Sequence, residues 1–261
     1  TGAWSKKACA YANNFSKVNI VSDSSSNNFT DVADLNSWNI SDNADYFFYC
    51  ANETVHGLEI HHPIETSSPV ICDMSSTIAS RPIDINKYDL IFAGAQKNLG
   101  IAGVTIVIVK NKLLSGINTE LLPMFNYSAH ANEASMLNTS PVFSWYVSGL
   151  VFDWIHEQGG VEEMARINKL KSDLLYDFID QSEFYNNPVS KPYRSWMNIP
   201  FTLSRDGLDD KFLSSAEELG LLNLKGHRTV GGMRASVYNA MPIEGIKKLI
   251  SFMDEFAKLH E

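Results

Sequence analysis

Lys97 is the first residue whose surroundings suggest chemistry. It lies in the segment IFAGAQKNLGIAG, residues 91–103, where an apolar run is followed by small residues on both sides of the lysine. A lysine on a solvated surface needs no such neighbours, whereas a lysine that forms a Schiff base sits at a strand end where small residues let a planar cofactor approach. From this segment alone, a surface-loop lysine remains the alternative.

Two phosphate-binding patterns do not fit the same segment. A P-loop has its lysine directly after the second glycine and then a serine or threonine, whereas Lys97 precedes Gly100 and no hydroxyl residue follows it. A dinucleotide-binding fingerprint needs G-x-G-x-x-G, and Gly94 and Gly100 do not have that spacing. Among functional interpretations, the Schiff-base lysine therefore remains.

Asp73 is a possible partner for this lysine. It ends the apolar run of the segment VICDMSS, residues 70–76, and ligands of open α/β sheets bind at the carboxyl ends of strands. Pyridoxal phosphate needs such a pair, because a lysine holds its aldehyde and a carboxylate keeps its pyridine nitrogen protonated. The alternative for Asp73 is a helix N-cap.

The first part of the chain predicts an α/β sheet. Short apolar runs alternate with polar connectors, as is typical of buried strands. The predicted strands are residues 18–21, 46–49, 69–72, 90–93 and 104–109. The connection before the last of them is too short for a crossover helix, so we expect that strand to run antiparallel to its predecessor.

The pattern changes after Pro141 and predicts a smaller α+β unit. Helices are expected at 142–158, ending at Gly159-Gly160, then over a segment that includes Met164 to Phe178, at 208–220 and from 243 onward, with strands at 197–204 and 233–240 between them. We place a domain boundary near residue 157. The expected domains are a large α/β domain that binds the cofactor, residues 1–157, and a small C-terminal domain, residues 158–261.

Composition excludes several classes of protein. The chain has 261 residues, 44% of them hydrophobic, and a net charge of -9, which argues against a broad basic face for nucleic acid. No apolar run approaches the length of a membrane span, and the three cysteines have no paired spacing. His56, His61 and His62 lack a metal-ligand spacing of known kind, so no metal is expected. We expect a cytoplasmic protein.

Seven motifs together resemble one enzyme family. They are TGAWS, CANETVHG, CDMSS, FAGAQKNLG, LNTSP, MNIPF and GHRTVGGMRASVYNA, in that order from residue 1 to residue 240. The chain is similar along its whole length to the phosphoserine aminotransferases, which are class-V, fold type I transaminases dependent on pyridoxal phosphate. The resemblance implies that fold, with a mixed, mostly parallel sheet in the large domain and a smaller C-terminal α+β domain.

The resemblance also implies a set of cofactor contacts. Lys97 would hold the cofactor covalently and transfer the substrate proton, and Asp73 would pair with the pyridinium. The other implied contacts are stacking by Trp4, a hydrogen bond from Thr54 to the phenolic oxygen, and phosphate binding by Gln96 together with Asn138 and Thr139 of the second subunit of a homodimer.

For the substrate, the resemblance implies two cationic sites. Arg234 would bind the α-carboxylate, and His227 and Arg228, contributed across the dimer, would bind the distal anion. The implied reaction transfers an amino group from L-glutamate to 3-phosphohydroxypyruvate and gives O-phospho-L-serine, a step of L-serine biosynthesis. Small-molecule substrates and a homodimer are expected, with no nucleic-acid or membrane partner.

The first residues raise a further expectation. The chain has no initiator methionine, and Trp4 with its periodic apolar neighbours predicts a start inside a helix. The family's cofactor-phosphate loop and arginine-bearing N-terminal segment would precede residue 1, so we expect a chain that lacks them. Two alternatives stay open: a truncated, non-catalytic isoform that acts by dimerisation, and another fold type I enzyme, such as a cysteine desulfurase or a different aminotransferase.

Overall fold

Nine strands, seven α-helices and five short 3₁₀ helices can be traced in the parts of the chain that the computed structural model describes, residues 1–115 and 121–260. The strands are β1 (Phe47–Cys50), β2 (Asn52–Glu53), β3 (Leu58–Glu59), β4 (Val70–Asp73), β5 (Leu90–Gly94), β6 (Thr105–Val109), β7 (Tyr185–Asn186), β8 (Asn198–Leu203) and β9 (Met233–Ser236). The helices are α1 (Ala3–Ala12), α2 (Asn111–Leu114), α3 (Tyr127–Asn132), α4 (Val142–Glu157), α5 (Gly160–Gln181), α6 (Asp209–Glu218) and α7 (Ile243–His260).

The main sheet has the strand order β1-β4-β5-β6. The first three strands are parallel and β6 is antiparallel to β5, which confirms the orientation predicted from the short connection. In this register Cys50 lies opposite Asp73, and Asp73 lies opposite Phe92. The carboxyl ends of β1, β4 and β5 therefore meet at one edge, which is where the predicted cofactor residues follow.

One predicted strand is wrong. Residues 18–21 form no strand, and Ile20 is 58% exposed. A short apolar run becomes a strand only when a neighbouring strand pairs with its backbone, and no described strand pairs with these residues, although Val21 packs partly against the core. The other predicted strands and helices are found, with boundaries that mostly shift by one to three residues.

The second half of the chain forms an antiparallel sheet, β7-β8-β9, covered by helices. Its core draws on α5, α6, α7 and all three strands, and six aromatic rings meet in it with mostly edge-to-face geometry. These rings belong to Phe184, Tyr185, Phe201, Phe212, Phe252 and Phe256. A second core lies under the main sheet, between residues 32 and 91 with Val189 added. The domain boundary near residue 157 lies between the two cores and stays a prediction.

The strand predicted at 233–240 ends at Ser236 because the next residues bind a buried lysine instead. Lys171 of α5 is fully buried, and its Nζ donates to the carbonyls of Val237, Tyr238 and Met241 at 3.1, 2.8 and 2.9 Å. Burial lowers the pKa of Lys171 to about 8, while the three carbonyl oxygens favour its charged form. The segment 237–241 is thereby attached to α5.

In the described ranges, none of the helices combines the length and the apolarity needed to cross a bilayer.

We expect Lys171→Met to lower the free energy of unfolding by about 3 kcal/mol or more, because the three carbonyls that the buried ammonium binds lose their donor. Lys169→Met is the matched control: Lys169 lies on the same helix but is exposed, and it pairs with Asp173. Its loss should cost less than about 1 kcal/mol. Urea unfolding of both variants measures the difference, and equal midpoints would contradict this role for Lys171.

Candidate active site

The hairpin formed by β2 and β3 holds the start of α1. Glu53 is fully buried, and its carboxylate accepts hydrogen bonds from the backbone N–H groups of Trp4 and Ser5 at 2.9 and 2.8 Å. First-turn N–H groups have no acceptor within their own helix, and a negative charge is favourable there. A Cβ on the N-cap residue Gly2 would lie 2.4 Å from Glu53 Cδ, so glycine permits this close approach.

Thr54 connects the first helix with the C-terminal sheet. Its hydroxyl accepts a hydrogen bond from Trp4 Nε1 at 3.0 Å, and its carbonyl accepts one from Arg234 Nη1 at 3.0 Å. Arg234 lies on β9, far along the chain from the hairpin. Its Nε is buried without a hydrogen-bond partner in the described structure. Three predicted site residues are thus brought together.

Lys97 lies in the turn after β5 and is partly buried. Burial lowers the pKa of Lys97 below its usual range, the nearby Asp73 carboxylate opposes this shift, and the Arg234 guanidinium reinforces it. Within residues 1–115 and 121–260 its amine makes no hydrogen bond or ion pair. Lys97, Asp73 and Arg234 therefore lie close enough for their charges to interact.

Asp73 ends β4 and caps a turn rather than an α-helix. Its Oδ1 accepts the Ser75 N–H at 2.8 Å, and the Ser75 hydroxyl accepts the Gly94 N–H at 3.1 Å, which links the turns after β4 and β5. Oδ2 makes no hydrogen bond with a described residue. The carboxylate is therefore oriented by the turn and keeps one oxygen for a cationic partner.

Three predicted phosphate-binding residues do not join the group formed by Lys97, Asp73 and Arg234. Gln96 is exposed beside Lys97. Asn138 and Thr139 are exposed between α3 and α4, and no hydrogen bond joins them to the other predicted site residues in the described chain. The alternative that they cap α4 also finds no support, because no side chain caps that helix.

His227 and Arg228 lie in the turn before β9. His227 Nδ1 lies 2.8 Å from the Thr229 hydroxyl, and Arg228 is exposed. His227 is also near His56 in the β2–β3 turn: burial lowers the pKa of His56 to about 4, and His227 contributes to the shift. The structure thus brings His227 to this chain's own hairpin, whereas no described contact links Arg228 to it.

Sequence reasoning missed Glu53 and considered His56 only as a metal ligand. The His56 ring lies 4.6 Å from that of Phe29, and its Nδ1 is buried without a described partner. The sequence did offer a signal for both residues, because Glu53 and His56 lie with Thr54 in the motif CANETVHG. Glu53 could not be assigned a role because its partners lie 48 and 49 residues away.

The thiols of the chain do not favour a desulfurase. Cys50 and Cys72 are buried, and burial raises the pKa of both, which disfavours the thiolate that such chemistry needs. Cys9 is free and partly exposed on α1. Among the described residues, no group of three or more potential metal ligands is found.

Comparison with known proteins identifies the family. The model of the class-V aminotransferases matches residues 1–249. The phosphoserine aminotransferase of Hahella chejuensis is 51% identical over 258 residues, which are 98% of this chain and 72% of the relative. The chain belongs to the phosphoserine aminotransferase family. This confirms the family inferred from the motifs.

Solved structures of this family confirm the predicted fold. The phosphoserine aminotransferase of Bacillus circulans subsp. alkalophilus matches 100% of this chain and 73% of its own length, with a TM-score of 0.97 and 40% identity. The enzyme of Trichomonas vaginalis, solved with pyridoxal phosphate bound, matches 97% of this chain and 73% of its own length, with a TM-score of 0.91 and 36% identity.

The groups at the site fit pyridoxal phosphate. Among the described residues, the Lys97 amine has no hydrogen-bond partner, one carboxylate oxygen of Asp73 accepts no hydrogen bond, and the buried Arg234 Nε has no acceptor. An amine can bind the aldehyde of this cofactor, and a carboxylate can stabilise its pyridinium. A guanidinium can bind the carboxylate of a substrate.

Glu53→Gln should loosen the first turn of α1. An amide has one acceptor oxygen where the carboxylate has two, so one of the two backbone N–H groups loses its partner. We expect the Trp4 and Ser5 amides to exchange with solvent about tenfold faster or more. Hydrogen exchange of the peptide that contains α1 measures this. Glu65→Gln, at an exposed glutamate paired with Lys87, is the control, and equal exchange in both variants would contradict the role.

Proposed function

We propose that this chain catalyses the transfer of an amino group from L-glutamate to 3-phosphohydroxypyruvate, which yields O-phospho-L-serine and 2-oxoglutarate. The observation that carries the proposal is the convergence of Lys97, Asp73 and Arg234 at one sheet edge in a chain of the phosphoserine aminotransferase family. The family's enzymes are pyridoxal-phosphate-dependent transaminases, and this reaction belongs to L-serine biosynthesis.

Besides Lys97, four side chains of the chain would hold the cofactor. Trp4 would stack on its ring, Thr54 would bind its phenolic oxygen, and Gln96 would contact its phosphate. Asp73 would keep the ring nitrogen protonated, because a carboxylate stabilises the pyridinium cation. When bound, pyridoxal phosphate supplies an electron sink for negative charge at the substrate Cα.

Lys97 would act both as the covalent attachment point and as the base. Its lowered pKa raises the fraction of neutral amine near pH 7, and only the neutral amine can take a proton. Once freed from the cofactor, it would move a proton between the substrate Cα and the cofactor C4′. Exclusion of water around the partly buried side chain favours the same neutral form.

Arg234 would bind the α-carboxylate of either substrate. Its planar guanidinium makes two parallel hydrogen bonds to a carboxylate, which sets the orientation of the Cα–H bond. Its Nη1 is held by the Thr54 carbonyl, and the buried Nε still lacks an acceptor. His227 and Arg228 would receive the distal anion, the phosphate or the side-chain carboxylate.

A homodimer is the assembly that we propose. Helix α4 is apolar around its circumference, and four of its first five residues are exposed, among them Phe143 and Tyr146. Apolar faces of this kind are typical of protein interfaces. Asn138 and Thr139 directly precede this face and are exposed, so they would lie at the interface with a partner that covers α4.

A cytoplasmic location is proposed as well. Cys9, Cys50 and Cys72 are free in the structure, and the two buried ones lie on neighbouring strands of the sheet. Free thiols are typical of a reducing compartment.

Covalent trapping tests the function. After incubation with pyridoxal phosphate, reduction with borohydride should leave the cofactor on Lys97, as peptide mass spectrometry would detect. Lys97→Ala should carry no such label and lose at least about 10²- to 10⁴-fold in phosphoserine formation. The control Lys87→Ala removes an exposed lysine beyond the amino ends of the strands. A label on a different lysine, or no label at all, would refute the assignment and favour the non-catalytic alternative.

The two cationic sites should respond differently to substitution. Arg234→Lys keeps the charge and loses the planar fork, so kcat/KM for glutamate and for phosphoserine should fall together, by about 10- to 100-fold. Arg228→Ala should lower kcat/KM for glutamate and phosphoserine but leave kcat/KM for L-alanine unchanged, because L-alanine has no distal anion. Steady-state kinetics with the three amino acids measure this, and identical substrate profiles for the two variants would disprove the division of roles.

A further inference from the structure

Asn98, the neighbour of Lys97, is buried, and both its amide oxygen and its amide nitrogen make hydrogen bonds. Only 4% of it is exposed. Its Oδ1 accepts the backbone N–H of Asn239 at 3.1 Å, and its Nδ2 donates to the carbonyl of Ile78 at 3.1 Å. The backbone at Lys97 is therefore joined both to the turn that follows Asp73 and to the segment that follows β9.

Asn239 continues these bonds into α5. Its Nδ2 donates to the Ala79 carbonyl at 2.9 Å, and its Oδ1 accepts a hydrogen bond from Asn168 Nδ2 at 2.8 Å. Asn168, which is fully buried, also donates to the Ser80 carbonyl at 3.0 Å. We call Asn98, Asn239 and Asn168 the amide chain.

The amide chain is attached to the same segment that Lys171 holds. Asn239 lies within residues 237–241, whose carbonyls bind the Lys171 ammonium, and it follows Arg234 by five residues. One end of this arrangement is thus the loop of Lys97 and the other is the strand of Arg234. Hydrogen bonds of buried amides are directional, so they define one relative placement where apolar packing would allow several.

We propose that Asn98 is a positioning residue for Lys97, holding the lysine loop at a set distance from Arg234 through its bond to Asn239. The proposal rests on the function proposed above, in which Lys97 and Arg234 act on one substrate. The lysine must reach the Cα of a substrate whose carboxylate is on Arg234. A displacement of about 1 Å in such a pair costs about 10²-fold in rate.

Asn168 provides a matched control for this role. It is a buried amide of the same kind with two described hydrogen bonds, but it contacts Asn239 and Ser80 rather than the Lys97 loop. Asn98→Ala and Asn168→Ala should therefore lower stability to a similar extent. Only Asn98→Ala should change the behaviour of Lys97.

The experiment measures Lys97 directly. In cofactor-free full chain, the pH dependence of Lys97 acylation by an amine-reactive reagent, followed by mass spectrometry, reports the pKa of this lysine. Asn98→Ala should raise that pKa toward the usual lysine value, because a released loop exposes the amine to water. It should also slow covalent trapping of pyridoxal phosphate by about 10- to 100-fold. Asn168→Ala should match the wild type in both measurements.

Equal Lys97 acylation profiles and trapping rates in Asn98→Ala and wild type would overturn the proposal, as would equal changes in both variants. If Asn98→Ala does not accumulate as folded protein, Asn98→Ser makes the same comparison, because its shorter hydroxyl cannot span both partners. Failure of the proposed function is distinguishable: wild-type protein would then not attach pyridoxal phosphate at Lys97, whereas the acylation profiles would still report whether Asn98 positions the lysine.

Discussion

The parallel register of β1, β4 and β5 is the constraint on which the site depends. Because the three strands end at one edge, the residues that follow them emerge together: the hairpin of Thr54 after β1, Asp73 at the end of β4 and Lys97 after β5. If one of the three strands ran the other way, the residues that follow it would emerge at the opposite edge. The antiparallel β6 closes the sheet without a crossover and leaves that edge open.

Burial then sets the chemistry of the groups collected there. In a chain with a net charge of -9, the site brings two basic side chains, Lys97 and Arg234, near the turn-held carboxylate of Asp73 and the buried carboxylate of Glu53. Desolvation disfavours the charged form of Lys97 and of His56, and it keeps the thiol of Cys50 protonated. The same physical effect therefore favours the neutral amine of Lys97 and the unreactive, protonated thiol of Cys50.

Local patterns predicted the parts of the structure that depend on local causes. The apolar runs of β4 and β5 are recognisable because strands buried on both faces need them, and the polar residue after each run marks the edge of the sheet. The run at 18–21 is also mostly apolar but has no pairing partner among the described strands, and composition cannot reveal that. Asn98 and Asn239 are 141 residues apart, so no spacing in the sequence could pair them.

The attachment of residues 237–241 also limits how the chain can vary in length. Asn239 is held by α5, by the turn after β4 and by the Lys97 loop, so the stretch between Arg234 and Asn239 has one allowed length. Successive side chains of a strand point to opposite faces, and one inserted residue there would turn Arg234 away from Thr54. The turn at 204–207 is exposed and lies outside this attachment, and exposed turns accept insertions and deletions more readily.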